Sequence, residues 1–370
     1  MTDGLTRYDY AIVGAGIAGA SLAAQIAPHA SVLILEAEDA PGYHATGRSA
    51  AFWSESYGGP DVQPLTSASG PWLQAGGYLA PLGSLHIGRS TDDGTAAAML
   101  ADFAQSGVQL ARVEPASFVS GLRRDWTIGL FEPSCAYIDV ARLHGDYLGS
   151  ARQDGASVVT DAQLEAAHLS DETWRIETRA GVFAAGVLVD AAGAWADEVA
   201  ARAGIAPIGI APFRRTMAQL RVDPPVPDGM PIVSDLSGNF YFKPEAGGRI
   251  WLSPHDEIAC EPGDAAPEEI DVAIAIDRLE QVVDWRVTAV ERRWAGLRSF
   301  APDRLPVYGF DTDNPRFFWC AGQGGFGIQT APAAAVLAAG LLRDRRPAPS
   351  VAHIDARLYA PSRFGRKHGK

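Results

Sequence analysis

An α/β protein in two domains is what this sequence predicts, and three observations carry the prediction. The chain has 370 residues, past the size at which one hydrophobic core usually stops growing. Near its N-terminus, YDYAIVGAGIAGASLAAQIA is a β-branched and aromatic run, a glycine-rich bend and an alanine-rich stretch, which reads as strand, tight turn and helix. In its middle, the alternating runs GSLHIGR, APFRRTMAQLRV, NFYFKP and GRIWLSP, with helical stretches near 92–105 and 267–284, read as a second, mixed or mainly antiparallel sheet covered on one face by helices.

Taken in order, Tyr8 to Val13 forms the first strand. Gly14 then permits the turn, Gly16 lets an anion approach the backbone, and Gly19 lets the helix lie close to the strand, while the N–H groups around Ala18 face a pyrophosphate. A second strand, Ser31 to Leu35, ends at Glu36 and Ala37; Glu36 lies 22 positions after Gly14, where a carboxylate bonds ribose hydroxyls. Together these predict a Rossmann-type dinucleotide site without choosing between NAD and FAD.

Farther on, the apolar run Gly186 to Val189 enters DAAGAW; Gly193 there marks either an α/β packing turn or a second backbone approach to the same nucleotide. In WAGLRSFAPDRLPVYG (294–309), Gly296 and Arg298 lead through Pro302 and Pro306 into another strand. The segment RFFWCAGQGGFGIQTAPAAAVLAAGLL (316–342) is a strand, a bend and a helix, with Pro332 in the early turns where proline is tolerated. Gly324, Gly325, Phe326, Gly327, Ile328 and Gln329 occupy the bend and the positive end of that helix.

Composition narrows the function. A net charge of -13 and a pI near 5.0 argue against nucleic acid, which needs a basic stripe; the one basic cluster, RFGRKHGK at 363–370, reads as a solvated tail. Cys135, Cys260 and Cys320 have no disulfide or zinc spacing, so no metal is expected and a reducing cytoplasm fits. Glycines interrupt the apolar N-terminal run, and no basic leader with a cleavage site accompanies it, so neither a membrane span nor a signal sequence is expected.

In their order along the chain, the N-terminal fingerprint, PGYHATGRSAA (41–51), AAGAW, FYFKPEAG (240–247), WAGLRSF and QGGFGIQT (323–330) resemble the D-amino-acid oxidase-like FAD oxidoreductases, and in wording are similar to the D-arginine dehydrogenase type. The resemblance implies non-covalent FAD and discontinuous domains: 1–75, 135–205 and 290–370 for the flavin, 76–134 and 206–289 for the substrate. It implies a small-molecule amine as substrate, oxidised by hydride transfer to the flavin N5, with an unidentified electron acceptor. Ala45, Thr46, Gly47, Arg48, Ser49, Ala50, Ala51 and Phe52 would run along the pyrophosphate and flavin, Leu164 would meet adenine through its backbone, and Ile328 and Gln329 would face the flavin. Arg215 and Arg298 would grip the substrate carboxylate with the Tyr241 hydroxyl, and Tyr57 would be a mobile gate. Alternation along the strand puts only one of Arg214 and Arg215 on the inner face.

The sequence departs from the D-arginine dehydrogenase type twice. Phe52 stands where that type has a histidine, and Ser84 where it has a glutamate for a guanidinium. A neutral or hydrophobic D-amino acid, or another carboxylate-bearing amine, is therefore expected over D-arginine, with no side-chain base; His44 reads as structural. Alternatives are an oxygen-using oxidase of glycine, sarcosine or another secondary amine, a catalytically idle FAD-binding protein, and a nicotinamide dehydrogenase.

Overall fold

The computed structural model describes residues 5–365; the last five residues of the basic tail lie outside them. Two sheets dominate. The strand Arg7–Val13 lies between Val32–Leu35 and Gly181–Asp190, parallel to both, and Ser157–Val159 extends the sheet beyond Val32–Leu35. The long strand Gly181–Asp190 has two further neighbours. Its first half pairs antiparallel with Thr173–Thr178, which in turn pairs antiparallel with Leu164–Ser170, and its last residues pair in parallel with Phe317–Ala321. Val13, Leu35, Val159, Asp190 and Ala321 thus end on one edge, where doubly wound sheets place their ligands.

Helices Ile17–Ile26, Val140–Gln153 and Gly327–Leu342 cover one face of this sheet. Six of the ten residues of the first are Ala, Gly or Ser, and Leu22 and Ile26 are fully buried. Gly19 explains the close fit: a Cβ there would fall 1.9 Å from the Gly14 carbonyl oxygen. Replacing Leu22 by alanine would cost about 2–5 kcal/mol, because a helix wedged this tightly has little room to collapse into the cavity left behind.

The second sheet has nine strands and is antiparallel except where Ile232–Asp235 runs parallel to Ser84–Arg89. Its spine is the pair Ala211–Asp223 and Arg286–Phe300, joined along their full length. Thr216, Ala218 and Leu220 turn toward the helix Glu269–Glu280, over a core that includes Ile250, Leu252, Val272 and Leu279. By alternation Arg215, Met217 and Gln219 turn the other way, toward the first sheet. Arg214 follows the helix side and pairs with Glu268 and Asp271. The strand Arg286–Phe300 pairs throughout with the second sheet, so that sheet runs past position 290.

A small third sheet of Phe52–Trp53, Ala136–Ile138 and Leu79–Pro81 ties the two layers together. The helical stretches expected near 92–105 and 267–284 form as Asp93–Phe103 and Glu269–Glu280. No helix among the described residues is long and apolar enough to cross a membrane.

Candidate active site

A single large cavity runs from the strand ends of the first sheet to the inner face of the second. At its first end Gly14 has φ +102°, and a Cβ there would lie 2.5 Å from the Ala191 carbonyl oxygen. The fingerprint turn and the DAAGAW turn therefore touch, and glycine is required at position 14 by conformation and by contact alike. Glu36 is buried; its Oε2 accepts from the Ala15 N–H at 2.9 Å and its Oε1 from the Glu38 N–H at 3.1 Å. Each oxygen keeps a further lone pair for a hydroxyl in the cavity. Gly16, Ala18 and Ala37 share this wall, as does Gly193, whose φ of +59° and open surroundings make conformation alone its reason for being glycine. Leu164 lines the same end, but its carbonyl accepts from Arg202 at 2.5 Å, so that carbonyl is already engaged within the protein.

Several residues here escaped the sequence reading. Trp195, Glu198 and Arg202 line the cavity from the turn and helix after Gly193, and their spacing of three and four places them on one helical face. His44 also lines it, bonded to Glu38 at 2.8 Å and packed on Trp195 with ring centroids 4.6 Å apart. It thus belongs to the nucleotide end and its ring is already held.

Midway, Ala45, Thr46, Arg48, Ser49 and Ala50 form the wall. Thr46 Oγ1 accepts from the Ile17 N–H at 3.0 Å, and the Gly47 N–H closes the bend onto the Gly42 carbonyl at 2.8 Å. Arg48, expected to contact an anion, lines the cavity, but its Nη2 donates to Asp264 at 2.5 Å and its Nη1 to the Ala265 carbonyl at 2.9 Å and the Ala295 carbonyl at 3.1 Å, so both terminal nitrogens are engaged by the second domain. Ser49 Oγ accepts from the Ala51 N–H at 3.0 Å, where Ala51 has a left-handed φ of +59°.

At the far end, Arg215, Met217, Tyr241, Gly296 and Arg298 of the second sheet face Gly324, Gly325, Gly327 and Ile328 of the first. Arg215 is 3% exposed. Its Nε donates to the Asp256 carbonyl at 2.5 Å and its Nη2 to Glu257 at 3.0 Å, while its buried Nη1 has no partner among the described residues. Burial, and then the charge of Arg298, push its pKa down; an arginine starts so high that it stays a cation. Arg298 Nη1 donates to the Tyr57 hydroxyl at 2.5 Å. Burial works against its charge, yet Tyr57 and Tyr241 outweigh that and raise its pKa. Burial raises the pKa of Tyr241, so its hydroxyl stays protonated, donating to the Met217 sulfur at 3.0 Å. A thioether is a weak acceptor that a carboxylate would displace. Gly325 is dictated by contact: a Cβ there would lie 2.7 Å from the Tyr57 hydroxyl and 2.8 Å from Arg298 Nη1.

Tyr57, Phe52 and Phe326 form an aromatic set behind this wall, Tyr57 lying 5.2 Å from Phe52 and 5.3 Å from Phe326, with Phe52 6.3 Å from Tyr241. Gln329 also stands behind it, contrary to its expected place facing the ligand. It is 2% exposed, donates to the Tyr57 carbonyl at 2.9 Å and to Thr66 Oγ1 at 3.0 Å, and accepts from the Ser54 N–H at 3.3 Å. Gly19, Gly47 and Ala51 shape turns and packing without lining the cavity. The acidic residues that do line it, Glu36, Glu38 and Glu198, belong to its nucleotide end.

A protein family described as "FAD dependent oxidoreductase" matches residues 9–341. The bifunctional protein ThiO/ThiG of Nostoc sp. is 27% identical over 243 residues, covering 63% of this chain and 35% of that protein; the chain thus spans about a third of that relative's length. Among solved structures, L-proline dehydrogenase from P. horikoshii superposes with a TM-score of 0.84 at 19% identity, over 97% of this chain and 98% of that one. Glycine oxidase from Geobacillus kaustophilus gives 0.82 at 20% identity, over 98% and 100%. Both likenesses are of fold.

Proposed function

Because the chain belongs to the FAD-dependent oxidoreductase family, we propose that it oxidises a carboxylate-bearing amine, and within that class a D-amino acid with a neutral or hydrophobic side chain, to the imino acid. The observation that carries this reading is the pair Arg215 and Arg298 at the end of the cavity opposite Glu36, with a buried, unpartnered Nη1 on Arg215. FAD fits the long cavity: Gly14 and Gly16 keep its turn free of side chains, Glu36 retains acceptor capacity for ribose hydroxyls, and the Gly324–Gly327 bend faces the arginine pair. When bound, it supplies the acceptor for the hydride lost from the substrate α-carbon.

The chain's own residues hold and prepare the substrate. The two guanidinium groups bind a carboxylate through charge-assisted hydrogen bonds, and Tyr241 can add its hydroxyl. Two cations beside the bound amine disfavour its ammonium form, which serves in place of a side-chain base. His255, 5.6 Å edge-on to Tyr241, is held neutral by burial and by both arginines, its pKa lowered to about 3. Among the described residues no carboxylate lines the arginine end of the cavity, and Glu257 is already bonded to Arg215, so a cationic side chain would find no free partner there.

Anaerobic mixing of the holoenzyme with a panel of D- and L-amino acids and N-methyl amines, followed by flavin bleaching, tests the reading. Preference for D-arginine or D-lysine over D-leucine, D-methionine and D-phenylalanine would overturn the side-chain assignment. A second reading, oxidation of glycine or a secondary amine with oxygen as acceptor, draws on the likeness to glycine oxidase. Stoichiometric peroxide with sarcosine or glycine, and no turnover of larger D-amino acids, would favour it.

A further inference from the structure

Outside the cavity, at the end of the strand Trp126–Glu132, Glu132 is fully buried. Among the described residues no lysine or arginine pairs with it. Its carboxylate is instead satisfied mainly by one short loop, 54–56, with Ser134 beside it. Oε2 accepts from Ser54 Oγ at 2.8 Å, Ser56 Oγ at 2.5 Å and the Ser56 N–H at 3.3 Å, while Oε1 accepts from the Glu55 N–H at 2.7 Å and Ser134 Oγ at 3.2 Å. A buried anion without a counter-ion is tolerated only while such donors stay in place, so the charge and the loop conformation stabilise each other. The next residue after these donors is Tyr57.

We propose that Glu132 is a positioning residue that locks Tyr57 against Arg298, and so sets the direction of the guanidinium fork toward the substrate. Gln329 closes the lock from the other side through Ser54 and the Tyr57 carbonyl. Glu55 adds a third tie by accepting from Ser67 Oγ at 2.5 Å and Ser134 Oγ at 3.0 Å. Gly58 and Gly59 follow, with φ of +105° and +83°, so a loop freed from these ties has two adjoining positions at which to swing. Tyr57 is on this account a fixed strut of the carboxylate site and not a gate.

This inference rests on the reading that Arg298 holds the substrate carboxylate. The test uses holoenzyme carrying Glu132→Gln, alone and together with Tyr57→Phe. The readouts are the dissociation constant of benzoate, taken from the flavin spectrum, and KM and kcat for the best amine of the panel. The amide puts a donor where the Glu55 N–H or the serines need an acceptor, so benzoate affinity and KM should each worsen about tenfold while kcat stays within about threefold, as for lost ground-state and transition-state binding alike. Added to Tyr57→Phe, Glu132→Gln should change either constant by less than about twofold, because its effect passes through the tyrosine hydroxyl. Equal losses in both backgrounds, or an unchanged benzoate constant in the single variant, would overturn the proposal. Should Glu132→Gln fail to hold FAD, Gln329→Ala carries the same expectations and the same refutation. A wild-type protein whose flavin spectrum and kinetics respond to no carboxylate would sink the carboxylate reading and this proposal with it.

Discussion

Replacing Arg215 by methionine separates the carboxylate-binding role of the strand Ala211–Asp223 from its structural role. In the folded protein the Arg215 fork has three nitrogens: Nε on the Asp256 carbonyl, Nη2 on Glu257, and Nη1 without a partner. A buried unpartnered donor costs about 1–3 kcal/mol, which a bound carboxylate would relieve. Methionine fills much of the volume and abolishes that donor. The loss in binding should then equal one charge-assisted hydrogen bond, about 1.5–3 kcal/mol, or roughly 10- to 150-fold in the benzoate dissociation constant and in kcat/KM. Glu257 keeps a partner, since Arg304 holds both of its oxygens at 2.8 Å, so the variant should still fold and bind FAD. Arg214→Met is the internal control. Arg214 lies on the opposite face, paired with Glu268 and Asp271; its loss should lower the melting temperature and leave benzoate binding within about twofold, because the two positions touch different ligands and partners. Benzoate titration of the flavin spectrum, with melting curves alongside, measures both quantities. If Arg214→Met weakened benzoate as much as Arg215→Met, the assignment of faces would be wrong.

Other expectations follow from the same geometry. Gly14→Ala would force a Cβ to 2.5 Å from the Ala191 carbonyl at φ +102°; backbone strain of about 1–3 kcal/mol should appear as substoichiometric FAD after purification and faster FAD loss on dilution. Phe52→His would place an imidazole between Tyr57, which carries the Arg298 bond, and Tyr241, adding to the pH profile of kcat/KM an ionisation below about 6.5 that the wild type lacks. His86, half-buried beside Ser56 and Ser84, has its pKa lowered to about 4 by desolvation. Between that value and the unfolded one the unfolded chain binds the extra proton, so stability is full above about pH 6.5 and falls on acidification, by about 2 kcal/mol at pH 5. His86→Gln should flatten the melting temperature between pH 7 and pH 5 relative to wild type; an unchanged acid slope would count against the desolvated neutral histidine.

Local signals made much of the fold legible. The strand, turn and helix from Arg7 to Ile26 declare themselves through β-branched residues, three glycines and an alanine run, each of which acts within a few residues of itself. Alternation alone separates Arg214 from Arg215, since a strand turns successive side chains to opposite faces. The face made by Trp195, Glu198 and Arg202 was equally open to reading, because helical spacing follows directly from the small-residue turn at Gly193. Most helix and strand ends moved by a residue or two, as frayed termini do, whereas the helix expected to 284 stops at Glu280 and the strand expected from Gly186 begins at Gly181.

What stayed hidden was the choice of partner, which depends on chain that arrives from far away. Arg48 sits in a stretch rich in glycine and small polar residues, the company an anion-binding arginine keeps, yet both of its terminal nitrogens are bonded to Asp264, Ala265 and Ala295. Nothing near position 48 announces those acceptors. Gln329 likewise occupies a helix start that faces the cavity, but one residue of helical rotation beyond Ile328 carries it to the back, onto Ser54, Tyr57 and Thr66. The strand Arg286–Phe300 joins the second sheet along its whole length because its partner Ala211–Asp223 offers a run of backbone groups of nearly the same length, and strand pairing is decided by such partners more than by composition. The same reasoning explains Glu132. In sequence it is one acid at the end of an apolar strand; its meaning comes from a loop of two serines and a tyrosine more than seventy positions earlier. The reacting end of the site is thus written in residues that the sequence shows plainly, while the orientation of those residues is held by contacts that only the folded chain assembles.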